Sequence, residues 1–159
     1  MRLRKDHDGF TIIELLVVTI IVGILSTLVI TTYSGVQAKN RNSNRQAAID
    51  TLQSQLETYY AQFSTYPTLA NVNDASWRKA NLKGLSSDSI KDPQWSGDVA
   101  ACTKDNSPIL SDAPATNCYT YQATTSDGSH CDNNKAACAQ YTLTAKLEGG
   151  GKYVKSSLN

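Results

Sequence analysis

The sequence predicts an α+β fold in which a long N-terminal helix packs on a small C-terminal antiparallel sheet. Three observations predict it. An apolar run from Phe10 to Ile30 passes, with no proline, into a polar but helix-compatible segment. Within that segment Ile49, Leu52, Leu56, Tyr59 and Phe63 recur at intervals of three and four, the stripe of an amphipathic helix. Late in the chain Tyr119, Tyr121 and Ala123, then Tyr141, Leu143, Ala145 and Leu147, alternate with polar residues as half-buried strands do.

The chain opens on a short polar leader, residues 1–9, that carries Arg2, Arg4 and Lys5. The run Phe10–Ile30 follows, and at 1.5 Å rise per residue it spans roughly 30 Å, the thickness of a bilayer core. Its one charge is Glu14. An acidic side chain near the centre of a membrane helix costs about 2.5–3.5 kcal/mol on insertion scales, so Glu14 requires a partner. A secretory signal peptide places its small-residue cleavage site after the apolar region. Here the suggestive small residue, Gly9, stands before it, and cleavage at that point retains the apolar segment. Basic residues are balanced across the span, with Lys39, Arg41 and Arg45 beyond it. The leader's charges come first and lie closer, which favours a cytoplasmic N-terminus.

One helix is expected from Phe10 to about Phe63, about 80 Å long. Residues 10–34 form its membrane half and residues 35–64 its amphipathic half. Gly23 and Gly35 weaken it locally, each by about 1 kcal/mol relative to Ala. Ser64-Thr65-Tyr66-Pro67-Thr68 ends it, because proline and the residue before it resist helical continuation. Residues 65–117 read as an irregular connection anchored by Leu69, Trp77, Leu82, Leu85, Ile90 and Trp95, with one short helix near Ser76–Leu85. Residues 118–159 hold the sheet and a cysteine-bearing loop. Asp127-Gly128 and Gly149-Gly150-Gly151 supply turns, Lys152–Ser156 a third strand, and the apolar face of the sheet covers the Ile49–Phe63 stripe.

Removing the leader takes away three basic and two acidic side chains, leaving twelve of each. A chain so balanced has no overall field to draw nucleic acid or acidic surfaces. Low net charge suits a subunit that packs against copies of itself. The four cysteines, Cys102, Cys118, Cys131 and Cys138, point to disulfides in an exported domain. Three connectivities are open, and sequential pairing is favoured because it closes two polar loops. A zinc site lacks its Cys-x-x-Cys knuckle.

No Gly-x-Ser-x-Gly, His-Glu-x-x-His or phosphate-binding glycine loop is present, and no pair of acids forms an evident site. The chain therefore does not read as an enzyme, and no cofactor is expected. Asp127 and Asp132, with Asn133 and Asn134, are weak calcium candidates whose spacing is not that of an EF-hand and equally suits turns. Lys152 and Lys155 beside Tyr153 offer charge and stacking to single-stranded DNA, a pattern also common on terminal strands. Lys39, Arg41 and Arg45 suit lipid headgroups, acids of a neighbouring copy such as Asp50 or Glu57, or else a solvated face. His130 is the one histidine outside the leader, and nothing marks it as a ligand or base.

Gly9 at the leader's end, Phe10 after it, Glu14 five residues into the remaining chain and the apolar helix together resemble type IV pilins and pseudopilins. Thr65-Tyr66-Pro67-Thr68 and Ile90-Lys91-Asp92-Pro93 also resemble the major branch of that family. The resemblance implies a pilin-like fold and a membrane peptidase that cuts after Gly9 and N-methylates Phe10. It further implies an assembly ATPase with its platform protein, and identical or related pilins as partners. In such a filament Glu14 would neutralise the new amine of a neighbour's Phe10, since an unpaired charge in an apolar core costs far more than a paired one. The sequence has Thr31 where many members carry a proline, so Gly23 and the Thr31-Thr32 pair are its available weak points. The expected function is a structural subunit of a type IV pilus, held by a single span in the inner or cytoplasmic membrane and then polymerised into a cell-surface filament. The alternatives are a pseudopilin of a type II secretion or competence system and a single-pass anchored binding domain that never polymerises.

Overall fold

The computed structural model describes residues 9–131 and 137–159, with backbone alone for residues 28–32. The chain divides into two compact units, Met1–Ala38 and Lys39–Asn159, and helix α1 (Ile12–Phe63) contributes to both. The helix is unbroken, including at Gly23, Gly35, Thr31 and Thr32. It stops where Ser64 turns into the left-handed region at φ 55°, before Pro67. The protein is α+β, with the antiparallel strands β3 (Tyr119–Thr124), β4 (Gln140–Lys146) and β5 (Lys152–Ser156) ordered β3-β4-β5.

Register places Tyr121 opposite Leu143 and Ala145 opposite Tyr153. The alternation of strand side chains then turns Tyr121, Ala123, Tyr141, Leu143 and Ala145 to one face. That face joins Ile49, Leu52 and Leu56 of α1 in a single buried core. Between β4 and β5 the chain reverses through Gly149, Gly150 and Gly151, all at positive φ (84°, 94° and 97°), a run that side chains with a Cβ resist.

The apolar stripe is buried only in part. Ile49, Leu52 and Leu56 are fully covered, whereas Phe63 is 52% exposed. In the last helical turn Phe63 leans on Tyr59, with ring centroids 4.5 Å apart, and Tyr59 lies against Trp77 at 5.3 Å. Phe63 is therefore a surface ring resting on a half-buried one.

Residues 65–117 are more ordered than the sequence suggests. Helix α2 (Leu69–Asn73) starts at Thr68, whose hydroxyl accepts from Asn71 N. Helix α3 (Ala75–Asn81) starts at Asp74, whose carboxylate accepts from Trp77 N. Two such caps within a few residues stabilise helices too short to stand alone. The expected helix near Ser76–Leu85 thus begins earlier and ends at Asn81. After it, Gly84 lies so close to α1 that a Cβ would sit 2.6 Å from the side-chain nitrogen of Gln55. Single 3₁₀ turns at Asp88–Ile90 and Ala100–Cys102 follow, then a minimal hairpin of β1 (Thr103–Lys104) and β2 (Ser107–Pro108).

An ion-pair network ties α1 to two distant segments. Arg45 is almost fully buried, and its Nε and Nη2 donate to the two oxygens of Asp92 at 2.7 and 3.0 Å. Its Nη1 donates to Glu148 Oε1 at 2.9 Å, and Nη2 also reaches Gln94 Oε1. Arg41 grips Glu148 with two bonds of 2.6 Å. Asn42 completes the tie by exchanging hydrogen bonds with the backbone of Glu148. Two-pronged guanidinium–carboxylate pairs are among the stronger hydrogen-bonded contacts. Arg41 and Arg45 are therefore committed inside the chain, which corrects the expectation that they face headgroups or neighbouring subunits. Lys39 remains exposed.

The two acids expected to receive those cations are engaged as well. Glu57 accepts from the hydroxyls of Tyr66 and Tyr141 at 2.9 and 2.7 Å and from Leu158 N. Asp50 accepts from the Tyr153 hydroxyl and pairs with Lys155.

Replacing Leu56 with Ala is expected to destabilise the protein by about 2–5 kcal/mol in denaturant unfolding, as core truncations do. Phe63→Ala should cost under about 1 kcal/mol, the worth of an exposed aromatic contact. The Arg41 and Arg45 guanidinium groups hold Glu148 at about 2, below its ordinary 4.5. A carboxylate with a depressed folded pKa binds more protons when unfolded, so its stabilisation is complete above about pH 4.5 and is lost as pH falls towards 2. Thermal midpoints measured across that window should drop more steeply for the wild type than for Glu148→Gln. Equal slopes would contradict the pairing.

Candidate functional site

The candidate site is the start of α1. Thr11 stands just before the first helical residue, and Glu14 follows three positions later. Thr11 N and Thr11 Oγ1 both donate to Glu14 Oε2 at 3.0 Å, while Glu14 N donates to Thr11 Oγ1 at 3.3 Å. This reciprocal arrangement is a capping box, which satisfies backbone N–H groups that the first helical turn leaves without partners. It was legible as Thr-x-x-Glu before an apolar run, a signal that attention to the charge alone passes over. Among the described residues no cation contacts Glu14.

Around this box the helix is apolar and uncovered. Phe10 and Ile12 are each 86% exposed, and Ile13, Leu15, Leu16, Val18, Ile20, Ile21, Val22, Ile24 and Leu25 are exposed too. They occur at successive positions, so every side of the helix presents apolar surface. A helix apolar all round belongs in a protein interior or a membrane. Among the described residues no helix is long and apolar enough to cross a membrane. The apolar run of the sequence continues into residues 28–32, whose side chains, Thr31 and Thr32 included, lie outside the description.

Gly9 and Phe10 precede the helix and are exposed, and a Cβ placed on Gly9 would meet nothing within 4 Å. Gly23 likewise sits in open space, so no packing contact requires a glycine there. The rest of the leader lies outside the described residues.

The remaining candidates lie in the second unit. Cys102 is bonded to Cys118 and Cys131 to Cys138, with Cα separations of 5.8 and 5.4 Å. These bonds close the loop that contains the β1–β2 hairpin and the polar loop before β4. Asp127 is occupied by its own turn, accepting from the Thr125 hydroxyl and from Ser129 N. Those donors, the hydroxyl first, hold its carboxyl below the ordinary range. Asp132, Asn133 and Asn134 lie outside the described residues, and among the rest no group of three or more metal-ligating side chains gathers. Lys155 pairs with Asp50 at 3.3 Å and lies over the Tyr153 ring, whose hydroxyl also donates to Asp50. The cation and ring offered to single-stranded DNA are thus joined to an acid that repels a phosphate backbone, and only Lys152 stays clear of it.

The model of the prokaryotic N-terminal methylation motif matches residues 4–30, the span that contains Gly9, Phe10 and Glu14. The chain is 38% identical over 66 residues to type II secretion system core protein G of Dickeya chrysanthemi, covering 42% of this chain and 43% of that protein. It is 37% identical over 65 residues to the core protein G of Klebsiella michiganensis, covering 41% and 46%. The match thus spans less than half the length of these curated relatives. No solved structure matches the chain. Motif, helix and relatives agree in supporting the resemblance to type IV pilins and pseudopilins.

Proposed function

We propose that the chain is a structural subunit of a type IV pilus, stored in the membrane and polymerised after cleavage between Gly9 and Phe10. The observation that carries this reading is an exposed, all-round apolar helix that starts at Ile12, two residues after Phe10, with the Glu14 carboxylate in its first turn. In water that surface is unsustainable, because each Å² of apolar area left exposed forgoes roughly 25 cal/mol. A bilayer covers it before assembly, and the helices of other subunits cover it afterwards. Cleavage exposes an α-amine on Phe10. Glu14, whose capping bonds use a single oxygen, supplies the opposite charge to the amine of a neighbour. The pair then selects the axial offset at which subunits dock, since other offsets bury an unpaired charge.

On this reading the partners are like or related subunits, a prepilin peptidase, and an assembly ATPase with its platform protein. The protein is a single-pass membrane protein before assembly and a surface filament afterwards. Calcium remains a proposal for the Asp127–Asp132 loop, with no geometry offered for it. A second reading, a pseudopilin of a secretion or competence apparatus, is favoured by one observation: both curated relatives are named for type II secretion.

Three measurements check these readings. The mature N-terminus should have the mass of a chain beginning at N-methylated Phe10, and an intact Met1 would support an anchored domain that never polymerises. Electron microscopy of sheared cell surfaces should show long filaments made of this chain, whereas short or absent filaments would favour the pseudopilin. Glu14→Ala should be processed and inserted but should reduce filament yield at least about tenfold, the consequence of losing roughly 1.4 kcal/mol or more of pairing. Normal yield would sink the role given to Glu14.

A further inference from the structure

Arg78 is the one buried side chain among the described residues whose polar atoms are not all satisfied. It is 3% exposed, and its Nε has no hydrogen-bond partner. Nη1 donates to Val72 O at 2.6 Å and Nη2 reaches Ser87 Oγ at 3.4 Å, so the guanidinium contacts only neutral oxygens. Asp74, four residues earlier, spends its carboxylate on capping α3 through Trp77 N. Among the described residues no carboxylate forms an ion pair with Arg78, Lys79 or Lys83. Burial accordingly pushes the Arg78 pKa down, with Asp74 opposing from a distance. Arginine does not discharge in response, so the charge stays and its counter-ion is missing.

Arg78 lines a cleft of about 480 Å³ together with Lys79, Lys83, Gly84, Ser86 and Ser87. Three cations and two hydroxyls face this space, and none of its lining residues is acidic. Its shape has a local cause. Helix α3 ends at Asn81, and the chain then folds back against Gln55, where Gly84 permits the close approach. That reversal sets Lys83–Ser87 beside the last turn of α3, which bears Arg78 and Lys79.

We propose that this cleft binds a phosphate group carried by a small polar ligand. A phosphate dianion in the cleft supplies the negative charge that the buried Arg78 lacks and accepts from the two ammonium groups and the serine hydroxyls. The volume exceeds that of a bare phosphate and lies within the roughly 300–1,000 Å³ of small-molecule sites, which leaves room for an attached glycerol or sugar. The site is independent of filament assembly and stands on its own geometry.

The test is calorimetric titration of the full chain, in non-ionic detergent, with sodium phosphate against sodium chloride of equal ionic strength. Saturable binding of one phosphate per chain is expected. Lys79→Ala/Lys83→Ala, which alters exposed side chains only, should weaken that binding about tenfold or more while leaving the thermal midpoint without phosphate unchanged. Arg78→Lys should weaken it further. Tighter binding of glycerol phosphate than of inorganic phosphate would identify a phosphate ester as the natural ligand, and equal binding would identify the free ion. Absence of saturable binding in the wild type, or wild-type affinity in the double lysine variant, would overturn the proposal.

Discussion

The buried guanidinium of Arg45 is the constraint around which the second unit is arranged. A charge with so little exposure is costly to leave alone, and here two carboxylates come to it; removing one partner from a buried pair costs about 3–5 kcal/mol. Asp92 and Glu148 come from distant points along the chain, one from the connection before the sheet and the other from the turn after β4. Each must be delivered to the same point on α1, which fixes how that connection and the β4–β5 turn lie against the helix. The apolar core supplies the bulk of the stability, yet apolar contacts are non-directional and tolerate sliding. The Arg45 network specifies the position at which the layers stop.

The same helix carries a second charge, at Glu14, in the opposite circumstance. Arg45 finds its partners within the chain and gives the protein a fixed form. Among the described residues Glu14 finds only the hydroxyl and N–H of Thr11, in the midst of exposed apolar surface. A charge satisfied at home stabilises the fold, and one satisfied by a neighbour organises an assembly. The exposed apolar positions from Phe10 to Leu25 are those that the proposed assembly would cover. They lie within the span that the N-terminal methylation motif matches.

Much of this was legible in the sequence because it rests on periodicity. The alternation around Tyr121 and Leu143 predicted β3 and β4, and the spacing of Ile49, Leu52 and Leu56 predicted the covered face of α1. The Gly149–Gly151 turn and the third strand followed from local chemistry. What escaped depends on long-range pairing, which no local pattern encodes. Arg45 looks like any cation of a polar helix face until Asp92, forty-seven positions later, is folded onto it. Phe63 continues the stripe in phase, but by the last turn no core faces it. Helix α2 is too short for periodicity to reveal and only its capping residue, Thr68, announces it, whereas α3 was expected near Ser76–Leu85 and differs only in its bounds. At the candidate site the Gly9–Phe10–Glu14 pattern was plain, and the capping box was also written there as Thr11-x-x-Glu14, though weighing the charge alone passes over it.

A cryo-EM structure of the filament tests the central claim most directly, through the distance between each Glu14 carboxylate and the nearest Phe10 amine. The account predicts that the amine belongs to a neighbouring subunit and lies within ion-pair reach, about 4 Å or less. Glu14 turned to solvent, or paired only inside its own subunit, would contradict it.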